Sequence, residues 1–422
     1  MTRERQDLAL CIEKPSCSYG LVRTEIHFRS FLDGTCADNA EFWTEMKKLA
    51  RENSTTQSLL LSLSKPTPCD QHLKEFIMEL IANSTTLEEI IFLWSEGSFV
   101  KDLCGIIDAA QANKNVNVRR MELPSFVFDS IQLRHASFLS RLNELDLNCT
   151  REMPESACLV FEEAFLDQNS MLQKLKVSVS NGVSRDIGGA RFEEALIKCL
   201  PMMKDLCHLD ITTNSSALHD ASLKKGPSLD ILSLDIRQHA KTMLDAGAGL
   251  PRKELNIRWS PSGFAVLTGC VPNQSKQTIQ KIHVLYVNGS CLQSFANLRS
   301  LKELSVFAID GAVDVAEIRG LLEGLLQAND SITSFPDLEA GLIESLIPWG
   351  QKETALHLLR LNQLAEKCGA TKSLPSALMP LVFSRLGGEG GQPGKPSLIY
   401  AILRDRAEMF SFKRSADPST KD

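Results

Sequence analysis

His208-Leu209-Asp210 sets an imidazole and a carboxylate two residues apart within LCHLDITTN. If that stretch is a strand, the two side chains share a face, and the pair has the groups needed to pass a proton. The same spacing also describes an ordinary solvated or partner-facing strand surface. No serine or cysteine can be tied to the pair as a nucleophile from the sequence. The 8 histidines are dispersed, with neither HxxxH nor HExxH spacing, and the 12 cysteines contain no CxxC. Zinc and thioredoxin-like redox chemistry therefore lack their ligand spacing, and no metal or cofactor is expected. GGEGGQPGKPS comes nearest to a phosphate loop, but Glu389 and Pro396 stand where a P-loop needs glycine and a hydroxyl residue. Pro393 stands where a dinucleotide loop needs its third glycine. That segment reads as an exposed linker, and the chain as non-catalytic.

Composition narrows the classes further. A net charge of -6 without a basic stripe argues against nucleic acid as a partner. No run of about 18 apolar residues is present to span a membrane. The opening MTRERQDLALCIEKPS is too charged and too short in its apolar run for a secretory signal. A cytoplasmic protein with reduced, mostly buried cysteines is the expectation.

The elements that would position His208 and Asp210 repeat along the chain. NSTTQSLLLSL at Asn53 is echoed by NSTTLEEIIFL at Asn83 and, more loosely, by NKNVNVRRMEL at Asn113. Before each echo lies an apolar helical stripe. The first is Trp43, Met46, the stem of Lys47 and Ala50; then come Leu73, Phe76, Ile77 and Leu80, then Leu103, Ile106, Ile107 and Ala110. After each asparagine the pattern alternates with period two, predicting inward pairs Leu61 with Leu63, Ile91 with Leu93, and Met121 with Leu123. Downstream the strand half recurs as LNELDLN, LQKLKVS, LCHLDITTN, LDILSLDI, KELNIRW, IQKIHVL, LKELSVF and a weak ITSFPDL. FEEAFLDQNSM, FEEALIKCLPMM and IRGLLEGLLQAND read as helices between them.

About eleven such units, roughly 22 to 34 residues apart, resemble the leucine-rich repeat of the irregular, ribonuclease-inhibitor-like kind. The resemblance implies an α/β solenoid, a horseshoe with a concave parallel sheet and convex helices, over residues 41–347. Asn148, Asn214 and Asn288 would satisfy backbone groups after a strand. Asn53, Asn83, Asn113, Asn169 and Asn329 would end helices in a left-handed conformation. Residues 1–40 form an N-terminal segment in which GLVRTEIHF reads as an extra strand. Residues 348–412 read as a helical C-terminal cap with a Gly-rich linker at 387–396, and residues 413–422 as a disordered tail. In the cap, ETALHLLRLNQLAEKCG, SALMPLVFSRLGG and SLIYAILRDRAEMF are amphipathic. The series LRLNQL, LPSALMPLVFSRL and SLIYAILRDRAEMF resembles the closing segment of uncharacterised diatom leucine-rich-repeat proteins, which implies no activity.

The remaining chemistry is then that of the exposed strand face. Residues alternating with the inward leucines are Glu144, Asp146, Lys174, Lys176, His208 and Asp210, followed by Ser233, Asp235, Asn256, Arg258, Lys281, His283, Glu303 and Ser305. A broad face of mixed charge suits another folded protein better than a polyanion or a small substrate. The expected function is a protein-binding scaffold or adaptor. Rival readings on the same repeat are a GTPase-activating protein, needing an arginine on a rim such as Arg119, Arg185 or Arg258, and substrate recognition for ubiquitin ligation.

Overall fold

The structure is a computed structural model. It describes residues 23–27, 40–52, 57–63, 70–94, 104–124, 131–149, 154–166, 169–179, 187–236, 242–246, 250–259, 265–270, 278–310, 315–336 and 353–367. The chain is α/β, with parallel strand pairing and helices between strands. It divides into two compact units, Met1–Lys225 and Gly226–Asp422. The linker at 387–396, the two helices expected beyond residue 369 and the tail lie outside the described residues.

In the first unit the strands are β1 (Arg23–His27), β2 (Ser58–Leu63), β3 (Glu89–Trp94), β4 (Arg120–Pro124), β5 (Glu144–Cys149), β6 (Lys174–Val179) and β7 (His208–Thr213). They lie side by side in chain order, each parallel to the last. The strand expected in GLVRTEIHF is β1. Helices α1 (Ala40–Glu52), α2 (Asp70–Asn83), α3 (Cys104–Ala112), α4 (Ala136–Leu139), α5 (Glu155–Leu166) and α6 (Ile187–Cys199) connect them, and α7 (Ser216–Lys225) follows β7. Right-handed crossovers between successive parallel neighbours put all these helices on one face of the sheet.

Burial agrees with that arrangement. Leu59, Ile90, Met121, Leu145, Leu175 and Leu209 form one cross-strand row, and none is more than 1% exposed. The helix stripes meet them: Trp43, Met46 and Ala50, then Phe76, Ile77 and Leu80, then Ile106, Ile107 and Ala110 are all buried. Further along, Phe161 sits against Phe165 and Phe192, with ring centroids 4.7 and 5.2 Å away. Each buried leucine or phenylalanine contributes about 1.5–3 kcal/mol. The ion pairs between neighbouring helices, such as Arg51 with Glu79 at 3.0 Å and Lys198 with Glu162 at 3.3 Å, have their cations in solvent, which screens them, so they add little to stability. The apolar rows hold the stack, and the charges decorate it.

The register corrects one sequence expectation. Ser58 pairs with Glu89, and Glu89 with Arg120, 31 residues apart for the first pair. The textual echo from Asn83 to Asn113 is one residue shorter. A one-residue slip moves side chains to the opposite face. By register Ile90, with Phe92 two residues on, joins the row of Leu59 and Met121, while Ile91 pairs with Glu122 and is nonetheless buried at 4% exposure. Met121 and Leu123 are buried as expected.

The second unit holds β8 (Ile231–Ile236), β9 (Thr242–Ala246), β10 (Glu254–Trp259), β11 (Ala265–Cys270), β12 (Lys281–Asn288) and β13 (Glu303–Asp310), with α8 (Gly289–Ser294), α9 (Val315–Ala328) and α10 (Glu353–Lys367). Here Leu232, Leu255, Ile282 and Leu304 make the fully buried row. ITSFPDL survives as a single bridge from Glu303 to Ser334, with Ile332 and Phe335 fully buried. β9 and β11 were not anticipated. The first half of β12 pairs with β10, and its second half pairs with β11, which in turn pairs with β9. β13 runs beside both halves of β12. β9 and β11 thus widen the sheet opposite the longer strands.

Asparagines tie one repeat to the previous one. Asn113 donates its side-chain amide to the Ile81 and Ser84 carbonyls at 2.7 and 2.8 Å. Asn329 donates to Phe295 and Leu298 at 2.9 and 3.0 Å. Asn362, within α10, does the same to Leu326 and Asn329 at 3.3 and 3.2 Å, while Gln363 donates to the Thr333 carbonyl at 2.8 Å. α10 is thereby tied to the residues around α9 by the same kind of asparagine bond. Asn288 caps α8, accepting from the Cys291 amide at 2.8 Å, which is the after-strand role expected of it.

Two positions in α9 leave stability unused. Gly320 and Gly324 are exposed helix-interior glycines, and a Cβ at either would meet nothing within 4 Å. Glycine loses more backbone freedom on folding than alanine. Gly320→Ala and Gly324→Ala are each expected to stabilise the protein by about 0.5–1 kcal/mol, read as a higher urea midpoint with unchanged m-value.

Candidate functional site: the polar sheet face

The face opposite the helices is built by the alternate strand residues. In the first unit, register aligns Ser58, Glu89, Arg120, Glu144, Lys174 and His208 in one row. Glu122, Asp146, Lys176 and Asp210 form a second row. The six residues expected here (Glu144, Asp146, Lys174, Lys176, His208 and Asp210) are all brought together. Ser58, Glu89, Arg120 and Glu122 belong to the same surface and were missed in the sequence. Their period-two alternation was the available signal, obscured by the register slip around β3.

The rows are bound by cross-strand charge pairs. Arg120 lies 3.6 Å from both Glu89 and Glu144, and Lys174 lies 3.5 Å from Glu144. In that row two carboxylates balance two cations. The second row is different. Lys176 is 2.8 Å from Asp146, and three carboxylates share the row with its single ammonium. The hydrogen bond that Lys176 donates to Asp146 holds the Lys176 pKa above the ordinary lysine value; burial opposes this, and the charges of Asp146, Asp210 and Glu122 reinforce it. This centre is therefore locally negative, with a cation pinned in its middle. His208 and Asp210 share the face as expected, but their cross-strand neighbours are Lys174 and Lys176. Both belong to the ladder of charged and titratable side chains on this face.

The second unit has a separate polar face. Glu254, Lys281 and Glu303 align in one row, with Ser233, Asn256, His283 and Ser305 in the next, and Asp235 opposite Arg258. Lys281 and His283 lie 3.2 and 3.1 Å from Glu303. Asn256 stands on the expected face but is only 8% exposed. Its amide donates to Ser233 at 3.2 Å and to Glu254 at 2.7 Å, so it braces neighbours and offers a partner little surface. Glu254 is the member that sequence reasoning omitted.

Other chemistry can be placed. Arg119 is exposed just before β4, Arg258 is exposed on β10, and Arg185 lies outside the described residues. Cys104, Cys149, Cys158, Cys199 and Cys291 are buried, and Cys207 is half-buried. Burial pushes the Cys158 thiol up to about 11 and the Cys199 thiol up to about 12, so neither offers a thiolate nucleophile at neutral pH. His135 is fully buried and satisfied. It accepts from the Gln132 amide at Nδ1 (3.0 Å), and its Nε2 lies 2.9 Å from Asp108 and 3.3 Å from the Arg134 Nε. Asp108 also receives Arg134 at 3.1 and 2.9 Å. Burial pushes the Asp108 pKa up, but the hydrogen bonds from Arg134 and His135 outweigh it and hold it below the usual value.

Among the described residues no group of three histidine, cysteine or acidic side chains could hold a metal ion, and no helix is long and apolar enough to cross a membrane. No protein-family model matches the chain, and no curated protein matches it.

Proposed function

We propose that the chain is a leucine-rich-repeat horseshoe acting as a non-catalytic, cytoplasmic scaffold or adaptor that binds another protein on the helix-free face of its sheet. The observation that carries this reading is the pair of register-matched polar rows in the first unit. Five successive strands, β3 to β7, present charged or titratable side chains at equivalent positions. Such a surface is broad, flat in chemistry and rigidly spaced, about 4.8 Å from strand to strand. Complementary charge over such an area gives partner selection and fast association more than raw affinity.

The test is affinity capture from cell extract with the full chain, comparing Lys174→Glu and Asp210→Lys with a helix-side control, Glu163→Lys. Each sheet-face variant is expected to weaken capture of the same partner at least about tenfold, since a charge reversal introduces repulsion where attraction stood. Glu163→Lys is expected to leave it unchanged. Equal capture by wild type, Lys174→Glu and Asp210→Lys would remove the sheet face from the interaction.

A further inference from the structure

On the helix side of the first unit, α6 and α7 do not close on each other. An open groove of about 520 Å³ lies between them, with Leu200 buried and Pro201, Ala217, Asp220 and Lys224 exposed along it. Its wall on the α6 side is Ile197, Leu200 and Pro201. From α7 it receives Ala217 and Ala221, four residues apart and so on one helix face. Two alanines where larger side chains would fill the space leave the trough open. Its polar members are Asp220, Lys224 and Lys225, so two ammonium groups face one carboxylate and the rim is net positive. Lys225 is half-buried and donates to the Met203 carbonyl at 3.0 Å; burial alone lowers its pKa. An incoming anion would restore to this ammonium part of the solvation it has lost.

We propose that this groove binds a single-chain aliphatic carboxylate, with the hydrocarbon along Leu200, Pro201 and Ala221 and the head group at Lys224 and Lys225. The volume falls within the range of small-molecule sites, roughly 300–1,000 Å³. It exceeds what one partner side chain would fill and accommodates a chain of about twelve carbons. The positive rim selects a carboxylate over an alcohol or an ammonium head. This site is independent of the sheet face and stands whether or not that face binds a protein.

The experiment is calorimetric titration of the full chain with dodecanoate below its micelle concentration, with dodecyltrimethylammonium as the head-group control. Saturable one-to-one binding of dodecanoate is expected, and none of the cation. Ala221→Leu, which fills the trough, and Lys225→Met, which keeps the stem but removes the charge, are each expected to weaken binding at least about tenfold. Lys224→Glu changes only an exposed residue and is expected to weaken it several-fold, so it decides the matter should Ala221→Leu fail to fold. Absence of saturable dodecanoate binding, equal binding of the cation, or wild-type affinity in both Lys225→Met and Lys224→Glu would overturn the assignment. So would an acidic peptide that saturates the site while dodecanoate does not.

Discussion

Lowering the pH from 7 to 5 is expected to cost the folded protein about 2 kcal/mol through His219 alone. The side chain is fully buried on α7, and among the described residues neither ring nitrogen has a hydrogen-bond partner. Burial pushes its pKa from the ordinary 6.5 down to about 4, and the Thr213 backbone opposes this only in part. The Thr213 group is thus near enough to be felt, yet outside hydrogen-bonding geometry. Because the folded pKa is the lower one, the unfolded chain takes up the proton first as pH falls. Stability is therefore full above about pH 6.5, declines below it, and the loss levels off near pH 4 at about 3 kcal/mol. His219→Leu is expected to remove this component while matching or exceeding wild-type stability at pH 7. It replaces an unsatisfied buried polar ring with an apolar group of similar size. Urea unfolding of both proteins at pH 7, 6 and 5 isolates the effect, since other titrations are common to the two. A wild-type-minus-variant difference that stays constant with pH would refute it.

His219 illustrates what a sequence conceals. ALHDASL shows a histidine on a short polar helix, and nothing in the text distinguishes it from His135, which is just as buried. The difference is entirely tertiary: His135 finds Asp108 and the Gln132 amide, and His219 finds neither a donor nor an acceptor among the described residues. The strand rows were legible for the opposite reason. Leu145 with Leu147, Leu175 with Val177 and Leu209 with Ile211 alternate with charged residues, and a parallel sheet with one buried face admits only one assignment of such a pattern.

Where the alternation was lost, the reading failed. EIIFLW in β3 is apolar at both parities, so its facing could be taken only from the echo, and the echo runs one residue out of step with the strand register. β9 and β11 were illegible for another reason. Neither TMLDA nor AVLTGC carries a leucine doublet, and each exists as a strand because a longer neighbour offers edge hydrogen bonds. For the polar face, the sequence identified fourteen residues by parity, and parity cannot report depth. Asn256 therefore entered as surface although Ser233 and Glu254 enclose its amide.

One of the asparagines that bond back to the preceding segment carries the second large expected effect. Asn329→Ala is expected to destabilise the protein by about 3 kcal/mol. The Asn329 side chain is fully buried. It donates to two carbonyls of the preceding repeat, Phe295 and Leu298, and its Oδ1 accepts from the Ser331 amide at 3.1 Å. Alanine leaves two buried carbonyls and one amide without that partner, and each such orphan costs about 1–3 kcal/mol before relaxation. Asn329→Asp separates this account from one based on shape. Aspartate matches the side chain in size and still accepts from Ser331, but ionised it has no proton to offer Phe295 or Leu298, and it buries a charge against two carbonyl dipoles. It is expected to be at least as damaging as alanine at pH 7. By contrast, Asn83→Ala should cost under about 1 kcal/mol, because Asn83 bonds chiefly to its own helix, at the Glu79 carbonyl 2.7 Å away, and is only half-buried. Urea midpoints for the three variants test the ordering. If Asn329→Asp were as stable as wild type, the bond from this amide to the previous repeat would have no energetic role, and the stacking would rest on the apolar rows alone.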